Sequence, residues 1–170
     1  MLKPKPARES VRQHMLLLRE FVRFPFYTAA LAPSSPRLAQ KMVDSVPLST
    51  AQNVVELGPG TGALTTALLP HLSENAKFLA VELNPTFATE WRRQFPGRQV
   101  EVGNVANLRQ ICKRHDMHSI DCIVSGLPWS GFPIPLQEAA LEEVLALLRP
   151  GGQMVTFGYH VAMYMPTGRH

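Results

Sequence analysis

Cysteine is almost missing from this chain: Cys112 and Cys122 are the only two among 170 residues. Two thiols build no disulfide framework, and their sparing use fits a reducing compartment. Long apolar runs are missing as well, none approaching the ~18 residues that a spanning helix needs. The longest near the start, Met15 to Leu18, is closed by Arg19 and Glu20, which argues against a secretory signal. A metal cluster is missing too. His115-x-x-His118 has the spacing of a ligand pair, but no third ligand group accompanies it, so it reads as a polar loop and no metal is expected. No internal repeat and no low-complexity segment appears.

What is present reads as one folded domain. A hydrophobic share of 45% with 18% charged residues is that of a soluble globular protein, and the length is enough to bury a core. The net charge of +4 lies wholly in residues 1–23, where Lys3, Lys5, Arg8, Arg12, Arg19 and Arg23 face only Glu9 and Glu20. The rest of the chain is balanced, so attraction to an anionic partner belongs to that segment.

From about Pro6 to Phe24 the periodicity is helical. Val11, Met15, Leu18 and Val22 make one stripe, with Arg8, Arg12, Arg19 and Arg23 on a neighbouring one. Residues 1–24 are therefore taken as a basic amphipathic helix and 25–170 as the main domain. Pro25 and then Pro33-Ser34-Ser35-Pro36 break the pattern, and Ser35 is placed to cap a short helix over Arg37–Val43. From Asn53 onward strands are expected at Asn53–Leu57, Lys77–Glu82, Gln99–Val102, Ile120–Ser125 and Gln153–Gly158. Helices are expected between them, at Gly62–His71, Thr86–Phe95, Leu108–Arg114 and Leu136–Leu148. Such alternation predicts an α/β fold with a parallel sheet and right-handed crossovers. Arg149-Pro150-Gly151-Gly152 reads as a sharp stop before the last strand.

The strongest chemical signal is Val54-Val55-Glu56-Leu57-Gly58-Pro59-Gly60-Thr61-Gly62, a buried strand, a glycine loop and a helix start. Glycine belongs where backbone must turn tightly and approach a ligand closely. Glu82 ends the next strand ~20 residues after the loop, where a carboxylate accepts both ribose hydroxyls. Gly58, Gly60 and Ala63 also satisfy the spacing of a dinucleotide fingerprint. Against that reading, Glu56 stands just before the loop, where it would repel pyrophosphate but meet a cationic group such as a methionine ammonium. The chain is also too short for a second nucleotide-binding half and a substrate domain.

The segment Glu56-Leu57-Gly-x-Gly-x-Gly62 resembles the first motif of class I S-adenosylmethionine-dependent methyltransferases, and Val81-Glu82-Leu83-Asn84 is similar to the second. Gly103-Asn104-Val105 resembles the third, with Asn104 where the family usually places an aspartate facing adenine. Ser125-Gly126-Leu127-Pro128-Trp129 occupies the fourth. The resemblance implies S-adenosyl-L-methionine as cofactor, held by Glu56, Gly58, Gly60, Gly62, Glu82, Leu83, Asn104, Val105, Ser125 and Leu127. Ribosomal RNA adenine dimethylases share the pattern but carry Asn-Leu-Pro-Tyr in the fourth motif, against which Ser125 is set here in the asparagine's position. Bacterial phosphatidylethanolamine N-methyltransferases are similar at Ser-Gly-Leu-Pro, at Pro33-Ser34-Ser35-Pro36-Arg37-Leu38-Ala39 and at Phe157-Gly158-Tyr159.

That likeness implies a phospholipid N-methyltransferase, cytoplasmic and peripheral at the inner membrane face. RNA adenine methylation, or a catalytically silent cofactor-binding domain, is the alternative. Methyl transfer from a sulfonium asks the enzyme to position reactants and exclude water. Tyr27, Ser125, Trp129 and Tyr159 are the candidate catalytic residues, the aromatics by cation–π contact, with Tyr159 or His160 as a proton acceptor. Pro128, Pro133 and Pro135, beside Trp129 and Phe132, form a stiff apolar lip. Only eleven residues follow Tyr159, too few for the family's strands six and seven. The fifth strand is therefore expected at a sheet edge, open to self-association.

The charge segregation yields a first prediction. Deleting residues 1–23 should weaken cosedimentation with anionic vesicles far more than with zwitterionic ones, each basic residue contributing ~1 kcal/mol. Equal binding by truncated and intact chains would return the segment to a purely structural role.

Overall fold

The structure, a computed structural model, describes residues 35–157. All belong to the compact unit Ser34–His170. The helix expected over residues 1–24, Tyr27, Tyr159 and His160 lie outside the described residues. Among the described ones, no helix is long and apolar enough to cross a membrane.

Five parallel strands form one sheet: β1 (Asn53–Leu57), β2 (Lys77–Glu82), β3 (Gln99–Val102), β4 (Ile120–Ser125) and β5 (Leu148–Thr156). Their spatial order is β3-β2-β1-β4-β5, so β1 sits at the centre between β2 and β4. The helices are α1 (Pro36–Asp44), α2 (Ala63–Leu68), α3 (Pro85–Gln94), α4 (Leu108–Arg114) and α5 (Ile134–Leu147). A parallel sheet covered on both faces needs strands that are apolar on both sides. Alternate side chains accordingly go to opposite faces. Val54, Phe78, Ala80, Cys122 and Val124 join Met42, Leu64, Leu68 and Trp91 in one core cluster. Val55, Leu57, Leu79, Val81 and Ile123 join Leu108, Ile111, Ala140 and Val144 in the other.

The first four strands have the ends expected from the sequence; the helices differ where proline intervenes. Ser35 caps α1 by accepting the Leu38 N–H at 3.2 Å, and Pro36 takes the first helical position. Asn84 caps α3 in the same way, accepting from Thr86 N at 2.8 Å, so that helix starts at Pro85 rather than Thr86. The single helix expected over Gly62–His71 is divided. It ends at Leu68 and continues as a 3₁₀ turn, Leu69–His71, because Pro70 has no N–H to extend the α-helical ladder.

Strand β5 departs most from expectation. Arg149-Pro150-Gly151-Gly152 does not precede the strand but lies inside it. The register passes from Ile120↔Leu148 to Cys122↔Gln153, so the four residues Arg149 to Gly152 of β5 oppose the single Asp121 of β4. Gly151 takes φ +78°, and a Cβ on Gly152 would stand 3.0 Å from the Ile120 carbonyl oxygen. The turn residues thus make a bulge, not a terminus. Among the described residues β5 pairs with β4 alone, at the sheet edge.

Asp121 ties this bulge to the centre of the sheet. Its Oδ2 accepts from Gln52 N at 2.9 Å and Asn53 N at 2.8 Å, and its Oδ1 from the Arg149 guanidinium. Burial alone would raise its pKa, but the guanidinium and the two N–H groups outweigh that and hold it low. Asp121→Ala should therefore cost about 2–3 kcal/mol, with a lower urea midpoint at unchanged slope. A lowered carboxyl pKa contributes stability above the ordinary range that is lost as pH falls through the lowered value. The difference between wild type and variant should accordingly narrow in strong acid.

Candidate functional site

The carboxyl ends of β1, β2 and β4 meet at one edge of the sheet, where open α/β folds bind ligands. The loop leaving β1 is held by Gly58 N to Val81 O, 2.9 Å, and Gly62 N to Pro59 O, 2.8 Å. Gly58 has φ +66°, and a Cβ there would stand 2.6 Å from Leu127 Cδ2. Glycine at 58 thus lets the β1 and β4 loops touch. Gly60 has φ +53° and open space where a Cβ would be. Its backbone faces a void that a ligand can enter.

Glu82, 7% exposed, closes this loop from the end of β2. Its Oε2 accepts from Gly60 N at 3.0 Å and its Oε1 from Asn84 N at 2.9 Å. Burial raises its pKa against the pull of those N–H groups. Beyond the ribose contact implied by resemblance, Glu82 anchors the glycine loop, a duty that sequence spacing did not reveal. Leu83 and Val102 stand exposed at the ends of the adjacent strands β2 and β3. Val102, which was not among the expected site residues, pairs with Glu82 in the sheet register.

Glu56 is fully buried. Its Oε2 accepts from Thr65 Oγ1 at 2.6 Å, and Thr65 Oγ1 accepts from Trp91 Nε1 at 2.8 Å. An indole nitrogen only donates, so the Thr65 proton must point to the carboxylate. Glu56 Oε1 has no hydrogen-bond partner. Burial pushes the Glu56 carboxyl up to about 8, with the Glu82 charge adding to it and the Thr65 bond opposing. An orphaned buried oxygen costs ~1–3 kcal/mol, and it is the kind of acceptor a cationic ligand group satisfies. Thr65 and Trp91 escaped the sequence reading. Their only signal was a threonine and an indole on apolar helix faces.

Two expected contacts are spent locally. Asn104 Oδ1 accepts from Ala106 N at 3.0 Å, capping the 3₁₀ turn Val105–Asn107, which leaves its amide NH₂ as the group to reach a base. Val105 is buried in the second core cluster.

The fourth motif also corrects an expectation. Setting Leu127-Pro128-Trp129 against Leu-Pro-Tyr puts Gly126, not Ser125, in the asparagine's position. A Cβ on Gly126 would lie 2.8 Å from the Gly58 carbonyl oxygen, so no amide side chain fits. Ser125 is fully buried, and its Oγ accepts from Leu127 N at 3.3 Å and Trp129 Nε1 at 2.9 Å. Trp129 leans on Phe132 with ring centroids 6.0 Å apart.

Among the described residues no group of three metal-ligating side chains exists. His115 bonds Glu101 Oε2 at 2.8 Å and Gln99 Oε1 at 2.9 Å, beside β3 and away from the strand ends that form the site.

Residues 54–152 match the family model described as "Methyltransferase domain". The chain is 34% identical over 145 residues to an ornithine lipid N-methyltransferase from Singulisphaera acidiphila, covering 84% of this chain and 76% of that protein. It is 40% identical over 96 residues to a dimethyladenosine transferase from Saccharomyces cerevisiae, covering 56% of this chain but 29% of that one. Among solved structures, an O-methyltransferase from Bacillus cereus gives a TM-score of 0.60 at 21% identity, over 91% of this chain and 67% of that one. An amino pentose methyltransferase from Micromonospora echinaspora gives 0.61 at 16%, over 91% and 56%. These two likenesses are of fold.

Glu56 makes the free protein sensitive to pH. Between 4.5 and about 8 the unfolded chain is ionised while the folded one keeps its proton, so stability falls as pH rises across that window. Glu56→Gln keeps an acceptor for Thr65 and titrates nothing. It should melt higher than wild type at pH 8, by on the order of 5 °C, with the gap closing toward pH 5. Equal melting at both pH values would mean that Glu56 is ionised and compensated in the free protein.

Proposed function

Because the chain belongs to the methyltransferase domain family, in its class I S-adenosylmethionine-dependent branch, we propose that it methylates the amine of a membrane aminolipid headgroup. The observation that carries this reading is the match to the ornithine lipid N-methyltransferase, which extends over 84% of this chain and 76% of that relative. The dimethyladenosine transferases match over about half of this chain and under a third of their own. Gly126 adds to the argument, since an adenine-orienting amide has no room there. Ornithine and ethanolamine headgroups both present a primary amine on a short alkyl arm. Ornithine lipid is the first candidate acceptor and phosphatidylethanolamine the second.

S-adenosyl-L-methionine is the cofactor, and it supplies an electrophilic methyl group on a sulfonium. The buried orphan Glu56 Oε1 fits its ammonium, and the open space at Gly60 fits close approach by the ligand. Glu82 is the carboxylate for the ribose, and Leu83 with Val102 the apolar surface for the base. The chain's own work is then to orient, to desolvate and to leave the acceptor nitrogen unprotonated. Residues 1–24, with the chain's whole charge surplus, are assigned to the anionic lipid surface. Tyr27 and Tyr159 are assigned to the acceptor amine.

The test is a count of methyl groups. Protein and methyl-labelled S-adenosyl-L-methionine are mixed separately with ornithine-lipid vesicles, phosphatidylethanolamine vesicles and RNA. Label is expected in the lipid extracts, more with ornithine lipid. Label confined to RNA, or absent from all three while the cofactor binds, would overturn the reading.

A further inference from the structure

Strand periodicity sends Ser125 to the face of the sheet opposite Glu56. Glu56 pairs across β1 and β4 with Val124, and Leu57 with Ser125. Val124 belongs to the cluster containing Trp91, whereas Leu57 belongs to the cluster on which Trp129 packs. The Ser125 hydroxyl is therefore walled off from the cofactor carboxylates, fully buried, and turned toward the loop that follows β4. That loop is pinned at both ends. Gly126 N donates to Leu57 O at 2.8 Å, Gly131 N to Pro128 O at 2.8 Å and Phe132 N to Trp129 O at 3.0 Å. Within it, Ser125 Oγ receives the Trp129 indole N–H at 2.9 Å. An indole has one polar atom, so this single bond sets which ring edge goes inward and which face looks out. Trp129 remains half-exposed, with Pro128, Pro133 and Pro135 stiffening the chain around it.

We infer that Ser125 is a positioning residue. Its buried hydroxyl holds the Trp129 indole as a fixed aromatic wall of the methyl-acceptor site and makes no contact with the amine itself. The inference rests on the aminolipid reading for the acceptor's identity, but the bond itself does not. A face presented at a fixed angle suits a methylated ammonium, which an aromatic ring attracts more strongly as bound water is excluded. Without the bond, the indole nitrogen is left buried and unpaired, and the ring is free to turn out.

Three variants and two readouts test this. Ser125→Ala should raise the KM for ornithine lipid in mixed micelles about tenfold, with kcat and the affinity for S-adenosyl-L-methionine changed by less than about twofold. Trp129→Phe, which keeps a ring but has no N–H, should show the same split. The double variant should add little to either single one. The chain has only two tryptophans, and Trp91 is fully buried, so iodide quenching of fluorescence reads Trp129. Quenching should rise about twofold in Ser125→Ala. Unchanged quenching would overturn the bond as a clamp. Increased quenching with an unmoved KM would overturn its role in the acceptor site. A wild-type protein that binds cofactor but labels no lipid would reject the aminolipid reading, and quenching would still decide whether Ser125 holds Trp129.

Discussion

A carboxylate with one oxygen satisfied and the other bare, sealed inside the sheet, is the constraint around which this domain is organised. Glu56 Oε2 takes the Thr65 hydroxyl, which takes the Trp91 indole. One short chain of bonds thereby joins β1, α2 and α3. Trp91 also stacks near Phe78 and Phe95, so the polar chain is embedded in aromatic packing. A buried network of this kind specifies geometry sharply because every member not satisfied is costly. The unsatisfied atom lies on the side chain just before the glycine loop, and strain of this sort tends to be kept at functional sites.

Glu82 completes the arrangement from the neighbouring strand. Its two oxygens hold Gly60 N and Asn84 N, so the glycine loop after β1 is tethered by the carboxylate that ends β2. Burial raises the pKa of both acids, so ionising them without a partner is unfavourable. A cation brought beside them would favour their ionised forms.

Much of this was legible in the residues. Runs such as Val54-Val55 and Leu79-Ala80-Val81 could only be strands buried on two faces, and their ends were placed correctly from β1 through β4. Glycine spacing, Glu56 and Glu82 pointed to the strand ends where the structure places the glycine loop, its carboxylate anchor and the orphan oxygen. What escaped were features set by neighbours distant in sequence. Thr65 meets Glu56 only after α2 folds back on β1. Arg149 to Gly152 look like a terminus until Asp121, 28 residues away, holds the arginine and makes them a bulge. The inward turn of Ser125 follows from a period of two, but the indole N–H that its hydroxyl accepts comes from the loop's return path. Prolines 70 and 85 shifted helix ends by the rules of the missing N–H.

The sheet itself acts as a partition. Glu56, Thr65 and Trp91 lie on one face; Ser125 and Trp129 on the other, with glycines 58 and 126 meeting at the rim. Groups so separated share no side-chain partner, and substitutions in them combine nearly additively. Selection can therefore rework the side chains of one face while those of the other stay untouched. On a scaffold so divided, a lineage can change one half of a two-substrate site without relearning the other.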